Sequence, residues 1–398
     1  MAESKKRITI LTYGSRGDVQ PFVALGVGLI DAGYAVRLVG PAKFGAFVRE
    51  HGLDFEPIEG DPGELTQAFV DRAGLNGPRM FVEMARHILP FARSAFDAME
   101  RAIADADLVI HSFMMLDGGH TLARLRGAPD ISVQFFPVFL PTASFSAVVF
   151  PELPLGKPYR WVSHQLVAAS YRYGSRWLYR LLRFSSPDLP ALAPWPFSRR
   201  HAGETPVLMA YSRHVLPKPA DWPDYAHVTG YWQLPPPADW RPPDDLAHFL
   251  DSGSPPVFFS PGSMKSHKLN NLLGMVIASV RAQDRRLLLG VSPDVLDEID
   301  LGGDVFAVAD VPHNWLFPRV AYILHHGGAG TTGAAAAAGV PTTAIPFTAD
   351  QAFWARRLHR LGVGPAAPSI RKLTRKRLDA LLSEVLSNSN YRRRARAL

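Results

Sequence analysis

The sequence contains no cysteine among its 398 residues. That absence excludes a disulfide scaffold, an iron–sulfur protein, a thiol nucleophile and a cysteine-ligated zinc site. Charged residues are sparse too, at 20% against 47% hydrophobic, and this balance excludes intrinsic disorder. No apolar run suits a bilayer span. The longest uncharged stretch, residues 131–151, is broken by Gln134, Pro137, Pro141, Thr142, Ser144 and Ser146, and a lipid-exposed backbone cannot leave such breaks unpaired. Near the start, the apolar run Ile8 to Tyr13 is too short for a signal-peptide core and stops at Gly14. The expectation is a cytoplasmic protein without a membrane span, long enough for two domains.

The formal net charge of +7 is unevenly placed. Residues 371–398 hold nine basic side chains against Asp379 and Glu384, and residues 153–187 hold Lys157, Arg160, Arg172, Arg176, Arg180 and Arg183 with no acid. The remainder is mildly acidic. Nucleic-acid binding would show a basic domain face and a recognisable module, and neither is present, so no nucleic-acid partner is expected.

Strand-like and helix-like segments alternate along the chain. The β-rich run Arg7 to Tyr13 enters a Gly-rich turn, and Phe22 to Ala32 reads as a helix closed by Gly33. Further strands are expected at Ala35 to Gly40, Phe55 to Ile58, Leu108 to His111, Ile131 to Phe135 and Val207 to Tyr211. Residues 216–243 then carry eight prolines, a density that reads as a stiff linker. The alternation restarts with strands near 257–260, 286–291, 305–309, 321–325 and 342–345. The reading is two doubly wound α/β domains, residues 1–215 and 244–370, followed by a basic tail at 371–398. Ligands bind such sheets at the carboxyl ends of strands, so the cleft between the domains is the expected site.

The most informative segment ends a strand at His325 and His326, then opens an alanine-rich helix through Gly327, Gly328, Ala329, Gly330, Thr331 and Thr332. Unpaired amides at a helix N-terminus, with glycines that let a ligand approach, form an anion site. A histidine beside it can donate a charge-assisted hydrogen bond to a phosphate. The competing reading is a tight turn whose glycines serve packing only.

The wider run raises the specificity. Val311-Pro312-His313-Asn314-Trp315-Leu316-Phe317-Pro318-Arg319, His325 to Thr332, Gly339-Val340-Pro341 and Pro346-Phe347 before Asp350-Gln351 resemble the donor signature of family 1 nucleotide-sugar glycosyltransferases. Gly14-Ser15-Arg16-Gly17-Asp18-Val19-Gln20-Pro21 is similar to the first loop of the sterol glucosyltransferase branch. The resemblance implies the GT-B architecture, two Rossmann-like domains facing across a cleft, with a UDP-sugar as donor substrate and no metal or other cofactor. It assigns the diphosphate to His326 and the amides of Gly328, Ala329, Gly330 and Thr331, and the sugar hydroxyls to Asp350 and Gln351. Ser15, Gly17, Gly262, Ser263, Val311, His313 and Trp315 complete the implied donor set. Where many members place a histidine base in the first loop, this chain has Asp18, as the sterol branch does. Capping of the following helix is the alternative role for Asp18. His111, at the carboxyl end of a strand, is the rival base. Asp105 and Asp107 match a metal-binding Asp-X-Asp in form only and read as structural.

Two departures from the family pattern concern the donor. Pro261 removes an amide from the loop Ser260 to Met264, and the uracil-stacking tryptophan is replaced near Val308, leaving Phe306 or Trp315 as substitutes. On the acceptor side, residues 135–197 concentrate the aromatic side chains. Phe135, Phe136, Phe139, Phe145, Tyr173 and Trp177 are the candidates for an apolar pocket that takes a hydrophobic, hydroxylated aglycone. Arg172, Arg176, Arg180 and Arg183 fall on one helix face, which suits either solvent or the surface of an anionic membrane. The expected reaction is inverting transfer of glucose from UDP-glucose to a sterol-like hydroxyl. A polyketide or other secondary-metabolite acceptor with a deoxyhexose donor, a sugar-nucleotide epimerase and a non-catalytic lipid-binding protein are the alternatives.

Overall fold

The computed structural model describes residues 5–60, 77–237, 239–262, 269–292, 296, 301–347 and 349–398. Two compact units emerge: residues 1–211 with 218–234, and residues 212–217 with 235–398. The proline-rich stretch expected as a separate linker is thus shared between them.

Unit 1 runs β1 (Arg7–Leu11), α1 (Arg16–Asp31), β2 (Ala35–Pro41), α2 (Gly45–Glu50), β3 (Asp54–Ile58), α3 (Gly77–Ile103), β4 (Leu108–Ser112), α4 (Leu116–Arg126), β5 (Asp130–Gln134), α5 (Gly156–Ser185), β6 (Val207–Met209) and β7 (Ala226–Val228). Its strands form one sheet in the order β3-β2-β1-β4-β5-β6-β7. All are parallel, with β1 registered against Ala35 to Val39 on one side and Leu108 to His111 on the other. Strands covered on both faces are mostly apolar; β1 is buried from Ile8 to Leu11, and its one buried polar side chain, Thr9, donates its hydroxyl to the Ala102 carbonyl at 2.9 Å. Phe96, Met99 and Ile103 of α3 pack beside Leu11, Val39 and Val109. The strand order reverses between β1 and β4, so the crevice beyond their carboxyl ends is the natural ligand position of this sheet.

Helix α1 starts at Arg16, well before the expected Phe22. Ser15 is its N-cap and Asp18 its third residue, a reciprocal capping pair that sets the start ahead of Pro21. Strand β7 falls inside the supposed linker; it is an edge strand of three residues, too short to show periodicity.

Unit 2 contains α6 (Asp244–Asp251), β8 (Val257–Ser260), α7 (Leu269–Arg281), β9 (Leu287–Leu289), β10 (Val305–Ala307), α8 (His313–Leu316), β11 (Tyr322–His325), α9 (Ala329–Ala337), β12 (Thr342–Ala344), α10 (Ala349–Leu361), α11 (Arg375–Ser387) and α12 (Ser389–Ala397). The second parallel sheet has the order β10-β9-β8-β11-β12, with its reversal between β8 and β11. The basic tail is part of this unit. Leu378, Leu381, Leu382 and Val385 of α11 enter the core with Leu273 and Ile277. Ala395 of α12 is seated among Ala344, Leu358 and Val363, while Arg392 Nη2 donates to the Ala321 carbonyl at 3.1 Å.

Among the described residues, no helix is long and apolar enough to cross a membrane.

Candidate active site

In unit 2 the reversal point is built from the ends of β8 and β11. His325 is fully buried, and its Nδ1 accepts from the Gly327 N–H at 3.1 Å, which places the ring proton on Nε2. Burial drives its pKa far below the ordinary histidine value. Gly327 has φ +96, a conformation that favours glycine, and an added Cβ would lie 3.0 Å from the Gln351 carbonyl oxygen. The turn therefore lies directly against the start of α10, bringing Gln351 to the diphosphate candidates. Gln351 Oε1 accepts from the Phe347 N–H at 2.8 Å. Asp350 occupies the first turn of the same helix.

His326 lies between two glycines. A Cβ on Gly328 would sit 2.5 Å from His326 Nε2, and one on Gly262 would sit 2.6 Å from Cε1. The ring fills space that any side chain at either position would take. Burial pushes its pKa down to about 4, against a smaller opposing pull from the Ser260 backbone. The ring is neutral at physiological pH, so the charge in the charge-assisted hydrogen bond expected from sequence would come from the phosphate. Its Nδ1 is buried without a hydrogen-bond partner. Directly after it, Gly328 caps α9 in extended geometry, and the first helical bond runs from Thr332 N–H to the Gly328 carbonyl at 2.9 Å. The amides of Ala329, Gly330 and Thr331 precede that bond and have no intrahelical acceptor.

Other expected donor residues fare differently. The Gly262 N–H donates to Ser260 Oγ at 3.2 Å, while that hydroxyl donates to the Gly290 carbonyl at 3.1 Å. Gly262 leaves space for His326 and its amide is engaged by Ser260, the residue that sequence reasoning passed over. Ser263 lies outside the described residues. Val311 is half-buried, and His313 stacks on Phe317 with ring centroids 4.3 Å apart. Trp315 meets Trp240 edge-on at 5.1 Å and carries the Arg319 guanidinium 4.3 Å over its ring. Phe306 packs on Phe249 at 5.2 Å.

In unit 1 the first loop leaves β1 and turns at Gly14, whose φ of +145 and missing Cβ make room for a carboxylate: a Cβ there would be 2.3 Å from Asp18 Oδ2. That oxygen accepts from the Ser15 N–H at 2.8 Å and the Ser15 hydroxyl at 2.9 Å. Gly17 is exposed in the first turn of α1. Asp18 therefore caps the helix, the alternative role foreseen for it, while holding a half-buried carboxylate at the carboxyl end of β1.

His111 is a correction. Its ring is wholly buried, with Nε2–H donating to Asp130 Oδ2 at 2.9 Å; His120 Nδ1 donates to the same oxygen at 2.9 Å. Burial alone would raise the Asp130 pKa, but the two imidazoles hold it far below the usual carboxylate range. A buried ring whose N–H is spent on Asp130 is not presented to an acceptor hydroxyl. Asp105 and Asp107 are likewise taken up structurally. Asp105 pairs with Arg7 at 3.0 Å and Arg37 at 2.8 Å, and Asp107 accepts from the Arg7 N–H at 2.7 Å.

The acceptor candidates separate into two sets. Phe135, Phe139 and Phe145 are core residues. Phe139 packs with Phe136, Tyr171, Trp195 and Phe197, Phe135 meets Phe22, and Phe145 meets His164 and Trp222. Tyr173 and Trp177 instead lie exposed on α5. The aromatic excess is largely the interior of unit 1, not one continuous pocket wall.

Comparison with known proteins adds to this geometry. Residues 8–125 match the model of the glycosyltransferase family 28 N-terminal domain, and residues 275–398 match the erythromycin biosynthesis protein CIII-like C-terminal domain. The chain is 35% identical to O-mycaminosyltylonolide 6-deoxyallosyltransferase of Streptomyces fradiae over 405 residues, covering 98% of this chain and 92% of that protein. It is 34% identical to the sterol 3-beta-glucosyltransferase of Aspergillus terreus over 375 residues, covering 90% of this chain. The chain spans only 26% of that sterol enzyme's length. Among solved structures, the calicheamicin glycosyltransferase superposes with a TM-score of 0.70 at 18% identity, covering 99% of this chain and 93% of that one. The glycosyltransferase VinC, solved in complex with dTDP, gives 0.66 at 20%, covering 98% and 94%. These likenesses show the GT-B fold class.

Proposed function

From the premise that this chain belongs to the family 1 nucleotide-sugar glycosyltransferases, we propose that it transfers a hexosyl group, with inversion, from a nucleoside diphosphate sugar to the hydroxyl of a bulky apolar acceptor. The observation that carries the reading is His326, half-buried between Gly262 and Gly328 at the mouth of α9. A neutral imidazole with one N–H, beside three amides that have no intrahelical acceptor, offers four hydrogen-bond donors to a diphosphate. Asp350 and Gln351 open α10 beside it, as sugar-hydroxyl partners.

Transfer breaks the bond from the anomeric carbon to the diphosphate oxygen and forms one to the acceptor oxygen on the opposite face. The acceptor proton passes to Asp18, and the charge growing on the diphosphate is met by the amides of residues 329–331 and the His326 N–H. A carboxylate accepts the proton late, once the acceptor oxygen has begun to bond. Ser15 positions that carboxylate through two hydrogen bonds to a single oxygen.

UDP-glucose and a sterol-like lipid are the proposed substrates, supported by the first loop, Gly14 to Pro21, and by the identity to sterol glucosyltransferases. A second reading, a deoxyhexose delivered to a polyketide aglycone, is favoured by the end-to-end match to the Streptomyces fradiae enzyme. The test is nucleotide release from UDP-glucose and from dTDP-deoxyhexoses, each with a 3-hydroxysterol or a macrolactone. Release stimulated only by UDP-glucose with sterol supports the first reading, and release only by the dTDP-sugar with macrolactone the second. No stimulation by any hydroxylated apolar acceptor, with nucleotide bound, sinks both.

A further inference from the structure

Helix α5 is 30 residues long, about 45 Å at the usual rise, and only one of its faces meets the protein. Ser163, His164 and Leu182 are buried, and Val167 and Tyr171 pack against the core around Phe139. Ser163 Oγ accepts from the Ala147 N–H, and the Tyr171 hydroxyl donates to the Phe113 carbonyl. The opposite face is apolar and open. Val162, Leu166, Tyr173, Trp177, Leu181 and Phe184 recur at helical spacing along it. Leu166 is 53% exposed, Tyr173 67% and Phe184 91%.

The charges on the helix itself have one sign. The helix contains Lys157, Arg160, Arg172, Arg176, Arg180 and Arg183 and no acidic residue. Arg160 is paired with Glu152 at 3.0 Å, Arg176 donates to the Ala193 carbonyl, and the Arg172 guanidinium lies 5.8 Å over Tyr173. Lys157, Arg180 and Arg183 are exposed, Arg180 within the stripe and Arg183 beside it.

We propose that this outer face of α5 docks unit 1 on an anionic lipid surface. Aromatic and leucine side chains enter the interfacial region while arginines meet the headgroup phosphates. A second copy is disfavoured, because an isologous pairing of this face would set cations against cations with no carboxylate on the helix to answer them. A single convex helix with a row of protruding side chains also suits a fluid interface, which conforms to each one. A protein partner would need a matching surface of about 800 Å² per side.

The test is flotation of the full chain with vesicles of phosphatidylcholine alone or of equal parts phosphatidylcholine and phosphatidylglycerol, without any sugar donor. Its outcome is thus independent of the transferase reading. The expected result is binding to the anionic vesicles at low salt, with release at high salt. The double variants Trp177→Glu/Phe184→Glu and Arg180→Glu/Arg183→Glu each reduce binding about tenfold. All four positions are exposed, and melting curves matching the wild type verify that the variants fold. Absence of binding to anionic vesicles at low salt overturns the proposal and leaves the face to an acidic protein surface. Binding that both variants retain in full also overturns it, by placing the contact elsewhere. So does a dimer in sedimentation that Trp177→Glu/Phe184→Glu dissolves.

Discussion

Two side chains carry opposite lessons about what a residue's neighbours decide. Asp18 is both cap and proposed base, and Asp18→Asn separates the roles, because the amide oxygen can still accept from Ser15. The expected outcome is a kcat lowered by about 10²- to 10⁴-fold with nucleotide affinity unchanged in titration calorimetry. Retained turnover would leave Asp18 a cap only. For His326 the test is pH. Its folded pKa of about 4 lies below the ordinary value of 6.5, so the unfolded chain takes up a proton first as the solution is acidified. Stability is therefore fully present above pH 6.5 and falls through the window down to about 4, by about 3 kcal/mol if the ring acts alone. His325 pushes in the same direction. Melting temperatures across that range should fall less steeply in His326→Gln than in the wild type. The identity of both residues as candidates was readable in the sequence from their motifs. Neutrality was not, since it depends on the neighbours that bury the ring, and the interior pairing of His111 depends on Asp130, nineteen positions away.

At the level of elements, both sheets place the candidate residues where the strand order reverses. The periodicity of apolar runs was enough to find most strands. The start of α1 escaped because proline reads as a first-turn residue, while the reciprocal pair Ser15 and Asp18 starts the helix earlier. The cradle at α9 rests on two absent side chains. Gly262→Ala and Gly328→Ala each place a Cβ under 3.0 Å from the His326 ring, and each should weaken nucleotide binding about tenfold as the ring is displaced, with Gly262→Ala carrying backbone strain as well. Gly274→Ala is the control. It lies in α7 with no atom within 4 Å of the added Cβ and should stabilise unit 2 by about 0.5–1 kcal/mol. Equal nucleotide affinity in the Gly262 and Gly328 variants would remove His326 from the phosphate site.

Across the whole chain, the two-sheet plan was visible in sequence, while its division was not, because contacts between distant segments decide to which unit a loop belongs. The C-terminal basic stretch, set apart from the second domain in the sequence reading, is bound to unit 2 by Ala395 and Arg392. Truncation after residue 388 should lower the melting temperature of unit 2 by several degrees, about 2–4 °C for each kcal/mol lost, and an unchanged melt would show the helix to be dispensable. The chain passes between the units three times, at 211/212, 217/218 and 234/235. Arg357 Nε donates to the Val215 carbonyl, so the short segment 212–217 is held by a helix far downstream. Recombination therefore cannot treat the halves as interchangeable cassettes. A hybrid joined at 234/235 inherits a foreign 212–217, and grafting a new unit 1 onto this unit 2 requires that hexapeptide to travel with residue 357. The unit to exchange in such hybrids is therefore a discontinuous one.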